Sequence, residues 1–450
     1  MTSAVQHFGY QGTQPGHSAR FSASGLRLLF LFAVYGPSFS FAGQLRYVEA
    51  ILILWSALHI KRLMKEMKGF NAILIYLFLI SGLMQLVSGL IHGSPGSAII
   101  ARAGTYVILA ILLLAVQGMI RGNMKWLIYI LAGYCLSYIF ILLTGTGVSR
   151  NYQTVPWRLG LGFAAMIALA LVFAVKPRWQ RLAPLAFITL AGVHIMMSSR
   201  SLAVVAIAVA GVTFLAQLRR RQHPRDFRFL ITVGAVAMIG FIGWSGPKVL
   251  LSLAENGWLT EEMTRKTLSQ ASVSSGFWAA ARPDTVTAIY AIGQRPLLGF
   301  GPGVVDPQIY SFYARISAEA LAGGNERDAD AIFQSRQGNE WSLGTPSHSH
   351  LFGAWADAGL LAMLCWLAVL GLAIYILVRT SGFRHPLTPL YALMALSTIW
   401  DVLFSPGPHR MDIALRIAVL VFAMRHFQFI DAQHGIMKQL QVTSKKFVRS

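Results

Sequence analysis

The sequence predicts an all-α polytopic membrane protein of about twelve transmembrane helices, with one large outward-facing loop between the ninth and tenth spans. Three observations predict it. Of 450 residues, 55% are hydrophobic and only 12% charged, far more apolar than a soluble domain. Runs such as Ile99 to Ile120 and Leu202 to Leu218 suit a hydrocarbon core about 30 Å thick, which needs roughly 20 residues of helix. They are continuously apolar rather than alternating, which points to helices and not to barrel strands. Last, the basic residues fall in short clusters between the apolar runs.

In chain order the spans are expected at 25–41, 45–60, 70–91, 99–120, 126–143, 159–175, 182–198, 202–218, 229–246, 348–378, 387–404 and 413–429. Gly36 and Pro37 interrupt the first, so eleven spans is the alternative. The connections after the even-numbered spans, Lys61 to Lys68, Arg121 to Lys125, Lys176 to Arg181, Arg219 to Arg228 and Arg379 to Arg384, hold sixteen of the 38 Lys and Arg. The positive-inside bias places them in the cytoplasm, and both termini with them. The chain then divides into an N-terminal tail at 1–24, nine spans within 25–246, the outer loop at 247–347, three spans within 348–429 and a basic tail at 430–450. The polar start, followed by many apolar segments, does not read as a cleaved signal.

The net charge of +21 could suggest nucleic acid, but its distribution over short interhelical clusters fits topology instead. Cys135 and Cys365 lie inside apolar runs, where small packing residues are expected and neither disulfide nor zinc has support. The outer loop carries ten of the seventeen acidic residues, among them Asp284. It reads as a folded polar element, because long loops cross membranes largely regardless of charge.

Ionisable groups at membrane depth are costly and mark candidate sites. Within the spans stand Arg102, His194 and Arg200, with Glu49, Asp357 and Asp401 as the main carboxylates. That scarcity of acids disfavours a cation-coupled carrier. The outer face offers guanidinium groups instead: Arg150, Arg158, Arg200, Arg265, Arg282, Arg295 and Arg410, with Lys266. Arginine grips phosphate bidentately, so a lipid-linked phosphate or pyrophosphate is one reading, and headgroup anchoring or salt bridges to the loop's acids the other. The stretch Arg295 to Gly303 is glycine-rich but lacks the spacing and the Lys-Ser/Thr pair of a phosphate loop. Its glycines suit a tight backbone path packed where the loop returns to the membrane. At that return stand His348 and His350. A free imidazole titrates near pH ~6.5 and can serve as a general base. On a helix starting at Ser347 the two rings fall about 200° apart, so only one can face a given site.

These constellations together resemble the O-antigen ligase and polymerase superfamily of bacterial envelope glycosyltransferases, over roughly residues 145 to 375. Arg282, a helical stretch from Asp284 to Gln294 and then Pro296 to Gly303 are similar to the family's arginine, helix and Pro-x-x-Gly-x-Gly-like segment. His348, Ser349, Asp357 and Gly359 fit the family's loop return, with Ser349 where Asn is frequent and Asp357 where Glu is frequent. Ser199-Arg200-Ser201 is similar to its Ser-Arg-Gly-like turn.

The resemblance implies an enzyme of the bacterial inner membrane. It would move a glycan from an undecaprenyl-pyrophosphate carrier to an acceptor hydroxyl on the periplasmic face, without cofactor, nucleotide sugar or metal. The acceptor is a second lipid-linked glycan for a polymerase or the lipid A core for a ligase. Membrane lipid is the setting, and polysaccharide assembly and export proteins are the expected neighbours. It implies His348 and Arg282 as catalytic residues, with Arg200, Arg282, Arg158, Arg265 and Arg295 on the pyrophosphate and His350 as the alternative base. The competing class is a lipid-linked glycan flippase or polysaccharide transporter. Such a carrier would show two related halves, and the single asymmetric loop argues against it.

Overall fold

The computed structural model describes residues 23–33, 38–40, 44–65, 67–144, 157–197, 199–218, 248–249, 251–258, 261–272, 282–322, 325–336, 344–404 and 410–449. Most of these are helical. The helices are α1 (Ala23–Ala33), α2 (Tyr47–Leu58), α3 (Ile60–Leu63), α4 (Phe70–Ile91), α5 (Gly96–Ile120), α6 (Met124–Thr144), α7 (Gly162–Val175), α8 (Ala183–Met196), α9 (Arg200–Leu218), α10 (Glu261–Ala271), α11 (Pro283–Gln294), α12 (Pro307–Ala322), α13 (Glu326–Arg336), α14 (His350–Ser381), α15 (Thr388–Phe404) and α16 (Arg410–Arg449).

Among the described residues five helical stretches are long and apolar enough to cross a membrane: α4, α5, α9, α14 and the Arg410–Gln433 part of α16. Shorter apolar helices accompany them at Ala23–Ala33, Tyr47–Leu58, Met124–Phe140, Gly162–Val175 and Thr388–Phe404. The protein is therefore a mostly helical membrane protein. α4 packs on α5 and α14, α14 on α15, α9 on α8 and α15, and α16 on α5 and α15. Phe78, Leu113, Met166, Val209, Tyr391 and Ile417 are buried between them. The outward faces stay apolar: Leu90 is 67% and Leu185 66% exposed. A hydrocarbon solvent tolerates such a surface, because each helix satisfies its own backbone hydrogen bonds.

Several expectations change in detail. α1 stops at Ala33, where the sequence reading ran the span to residue 41. Beyond it Ser38–Ser40 pairs antiparallel with Gln44–Arg46, a two-strand ribbon that departs from an all-helical chain. The expected ninth span at 229–246 lies outside the described residues. The segment expected as a basic tail continues α16 as helix through Arg449. Among the described residues the 247–347 segment includes the helices α10 to α13, and the predicted helical stretch from Asp284 is α11.

The largest difference is in the tenth span. α14 breaks at Gly359, whose φ of 79° and ψ of −171° lie outside helical space. Sixteen residues of straight helix would separate His350 from Trp366 by about 24 Å, yet their rings stack at 4.5 Å. The chain therefore turns at Gly359, bringing residues 350–358 back beside residues 360–381.

The glycine-rich stretch holds that turn from outside. Phe300 N donates to Ala356 O and Gly301 N to Asp357 O, both at 2.8 Å, while Leu360 N reaches Pro296 O at 3.1 Å. Trp355 Nε1 donates to Pro296 O at 2.8 Å. A β-carbon on Gly299 would lie 2.6 Å from Ala356 O, and one on Gly359 would overlap Leu297 O. Backbone runs against backbone here, the tight path the sequence suggested.

Candidate functional site at the two ends of the loop

Arg282 immediately precedes α11, and Pro283 opens that helix with its φ already suited to it. One position on, Asp284 lies in the first turn, where the helix dipole favours a carboxylate. On the other arm of the loop, Ser349 is the N-cap of α14. Its extended backbone, φ −137° and ψ 133°, lets Oγ accept from Phe352 N. The helix consequently begins at His350, not Ser347, and His348 stands outside it. The expected separation of the two rings around one helix does not apply. His348 instead lies in the bend just before the helix, and its Nδ1 lies 2.6 Å from Asp284 Oδ2.

The end of α15 completes the setting. The Arg282 guanidinium lies 5.9 Å from the centre of the Trp400 ring, a cation–π contact that holds the charge at the helix end. Ser349 Oγ donates to Val402 O at 2.7 Å and so ties the capping residue beside His348 to the same helix end. Between Trp400 and Val402, Asp401 pairs with Arg416 of α16, whose guanidinium also sits 4.1 Å from the Phe163 ring centre. Four segments distant in sequence thus meet: 282–284, 348–349, 400–402 and Arg416.

The other predicted residues are dispersed. Arg200 donates to Thr267 Oγ1 of α10 at 2.9 Å, joining the start of α9 to α10. Arg295 lies over the Phe300 ring at 4.6 Å, and Arg265 is exposed. The Arg158 side chain is outside the described residues. His350 turns inward onto Trp366, with Nε2 enclosed and unpaired. The intramembrane carboxylates have cationic neighbours, Asp357 with Arg102 at 3.8 Å and Glu49 with Arg410 at 3.2 Å. His194 accepts from Trp157 Nε1 at 3.0 Å. The cationic neighbours offset the cost of burying each carboxylate. Among the described residues no three His, Cys, Asp or Glu side chains gather closely enough to hold a metal ion.

Three residues at this junction escaped the sequence reading of the site. Asp284 stands among the loop's acids and at the start of the expected helical stretch, but no pattern ties it to a histidine 64 positions later. Trp400 gave no signal. Arg416, an arginine inside the expected twelfth span, carried a usable one, because intramembrane charge is itself a marker. Comparison of the chain with protein-family models, curated proteins and solved structures finds no match.

Proposed function

We propose that this membrane protein is an envelope glycosyltransferase of the inner membrane, with about twelve spans, cytoplasmic termini and the 247–347 loop on the periplasmic side. In this reading it transfers a glycan from a polyprenyl-pyrophosphate carrier to an acceptor hydroxyl. One observation carries the reading: the loop's two arms meet, so that Arg282 and His348, 66 positions apart, are joined through the 2.6 Å contact of Asp284 with His348. A fixed cation beside a half-open imidazole suits a displacement whose leaving group is a pyrophosphate.

The chemistry asked of each group is ordinary. His348 takes the proton of the acceptor hydroxyl while its oxygen attacks the anomeric carbon. The bond from that carbon to the carrier's phosphate oxygen breaks, and its electron pair leaves with the pyrophosphate. Arg282 offsets the charge that grows there, and the imidazolium later returns its proton to water. Arg200, Arg158, Arg265 and Arg295 are the further phosphate candidates. His350, stacked and enclosed, suits the base role less well.

The test is product analysis with purified protein, one lipid-linked donor and each acceptor offered separately. A new glycosidic bond to a second lipid-linked glycan marks a polymerase, and one to a lipid A core marks a ligase. Movement of the lipid-linked glycan across liposomes with no new bond would replace this reading with a flippase.

A further inference from the structure

We propose that Asp284 is the positioning residue for His348, holding its ring so that Nε2, and not Nδ1, is the nitrogen that takes the acceptor's proton. The inference rests on the reading of His348 as the base.

Three observations point the same way. His348 Nδ1 is enclosed and lies 2.6 Å from Asp284 Oδ2, a close contact between an imidazole nitrogen and a carboxylate oxygen that is not aligned as a hydrogen bond. The His348 side chain is nonetheless 38% exposed, against 11% for Asp284. The open part of the ring is therefore the part away from the carboxylate, which leaves Nε2 accessible. A neutral imidazole carries its proton on one nitrogen, and a carboxylate facing Nδ1 selects the form with the proton there and the lone pair on Nε2. The carboxylate also steadies the imidazolium formed after proton transfer, the general logic of an acid that orients a histidine base.

Both partners are held from behind. Asp284 is set by the Pro283 helix start, with Thr285 N bonding back to Arg282 O at 3.1 Å. On the other arm, Ser349 is pinned by its cap and by Val402 O, and Ser347 Oγ donates to Ser349 O at 2.9 Å. The Asp284 contact has the length of a hydrogen bond but not the ideal N–H direction. Catalytic hydrogen bonds without substrate are often misaligned and tighten when it binds. Placement of Arg282 two residues before Asp284 couples the two roles: one helix start carries both the cation for the leaving group and the carboxylate for the base.

The step this supports is balanced. The acceptor O–H proton goes to Nε2, oxygen forms the new bond to the anomeric carbon, and the carrier's pyrophosphate departs with the electron pair. Asp284 gains no proton and forms no covalent bond.

The experiment uses the purified full chain with a lipid-linked donor and acceptor, comparing Asp284→Ala, Asp284→Asn and Asp284→Glu with His348→Ala. Asp284→Ala and Asp284→Asn should lower kcat roughly 10- to 100-fold, with KM for the donor changed by less than about threefold. Asp284→Glu should recover part of the rate. In protein labelled with 15N-histidine, with the His348 signal assigned by its loss in His348→Ala, the wild type should show the Nδ1-protonated form and Asp284→Asn should not. Wild-type kcat in Asp284→Ala overturns the proposal. So does a rate loss that tracks thermal unfolding while the tautomer is unchanged, because Asp284 would then only clasp the two arms. If His348→Ala keeps its full rate, the reading of the site falls instead, and the 15N signal still decides whether Asp284 sets the ring's tautomer.

Discussion

The two ends of α14 are built from similar residues and do different things. At the Arg379 end, the guanidinium meets Asp431 at 2.7 Å, His385 stacks on Phe383 at 5.1 Å and touches His426 at 5.0 Å, and Tyr391 Oη bonds His426 Nδ1 at 2.9 Å. His385 Nδ1 accepts from Leu387 N at 3.2 Å, so its ring serves the turn before α15. Burial, with His426 beside it, pushes His385 down to about 4. At the other end His350 is equally enclosed against Trp366, but His348, two residues earlier, is half open with a carboxylate at its back. The comparison teaches that composition alone does not make a site. Histidine with aromatic rings gives a packed corner at one end. Histidine with an acid, an arginine and an open edge gives the arrangement proposed as the site at the other.

The contrast is most directly broken by substitution at the open end. His348→Ala should cut glycan transfer by about 10²- to 10⁴-fold, the usual worth of a general base, measured as polysaccharide length and attachment on gels with insertion checked in parallel. Unchanged products in a stably inserted variant would sink the assignment of that end. Arg282→Ala should follow, at about 10²-fold in kcat. Arg282→Lys should restore little, since the ammonium lacks the planar fork that stacks on Trp400 and grips phosphate.

A second pair of variants sharpens the comparison within the helix itself. Gly359→Ala should destabilise the protein by about 1–3 kcal/mol or prevent its folding, because φ is positive there and the added carbon meets Leu297 O. Gly371→Ala, in the straight part of α14 where nothing lies within 4 Å of the new carbon, should be neutral or slightly stabilising. Equal effects on the detergent melting temperature would remove the turn from the account of the site.

The smallest effect belongs to the packed end. His385 is held below its ordinary value in the folded state, so folding favours the neutral ring. The stability this gives is present above about pH 6.5 and is lost as pH falls toward about 4. His385→Phe keeps the stack on Phe383 and cannot take a proton. It should flatten the acid-side fall in melting temperature by roughly 2 °C. A fall identical to that of the wild type would show that His385 titrates as freely as an exposed histidine.

Much of the helical frame was legible because lipid imposes a one-dimensional rule. A run of apolar residues long enough for the bilayer must be helix, and the span expected at 70–91 is α4, Phe70–Ile91. The helix after Arg282 was equally readable from Pro283 onward. The turn in α14 was not, since Gly359 lies inside a stretch that reads as continuous span, and hydropathy does not register φ. The inward set of His350 followed from that turn and was hidden with it.

By itself the sequence determined that this chain is a mostly helical membrane protein and which segments are apolar, and it singled out Arg282 and His348 as candidates. Those are properties of local composition and period. Only the tertiary structure decided that Asp284 lies behind His348, that Trp400 lies under Arg282 and that Asp401 pairs with Arg416. The physical reason is that a site is made of contacts between residues tens to hundreds of positions apart. Their distances are set by how helices pack and where one of them turns, and neither is written in the hydropathy of any single segment.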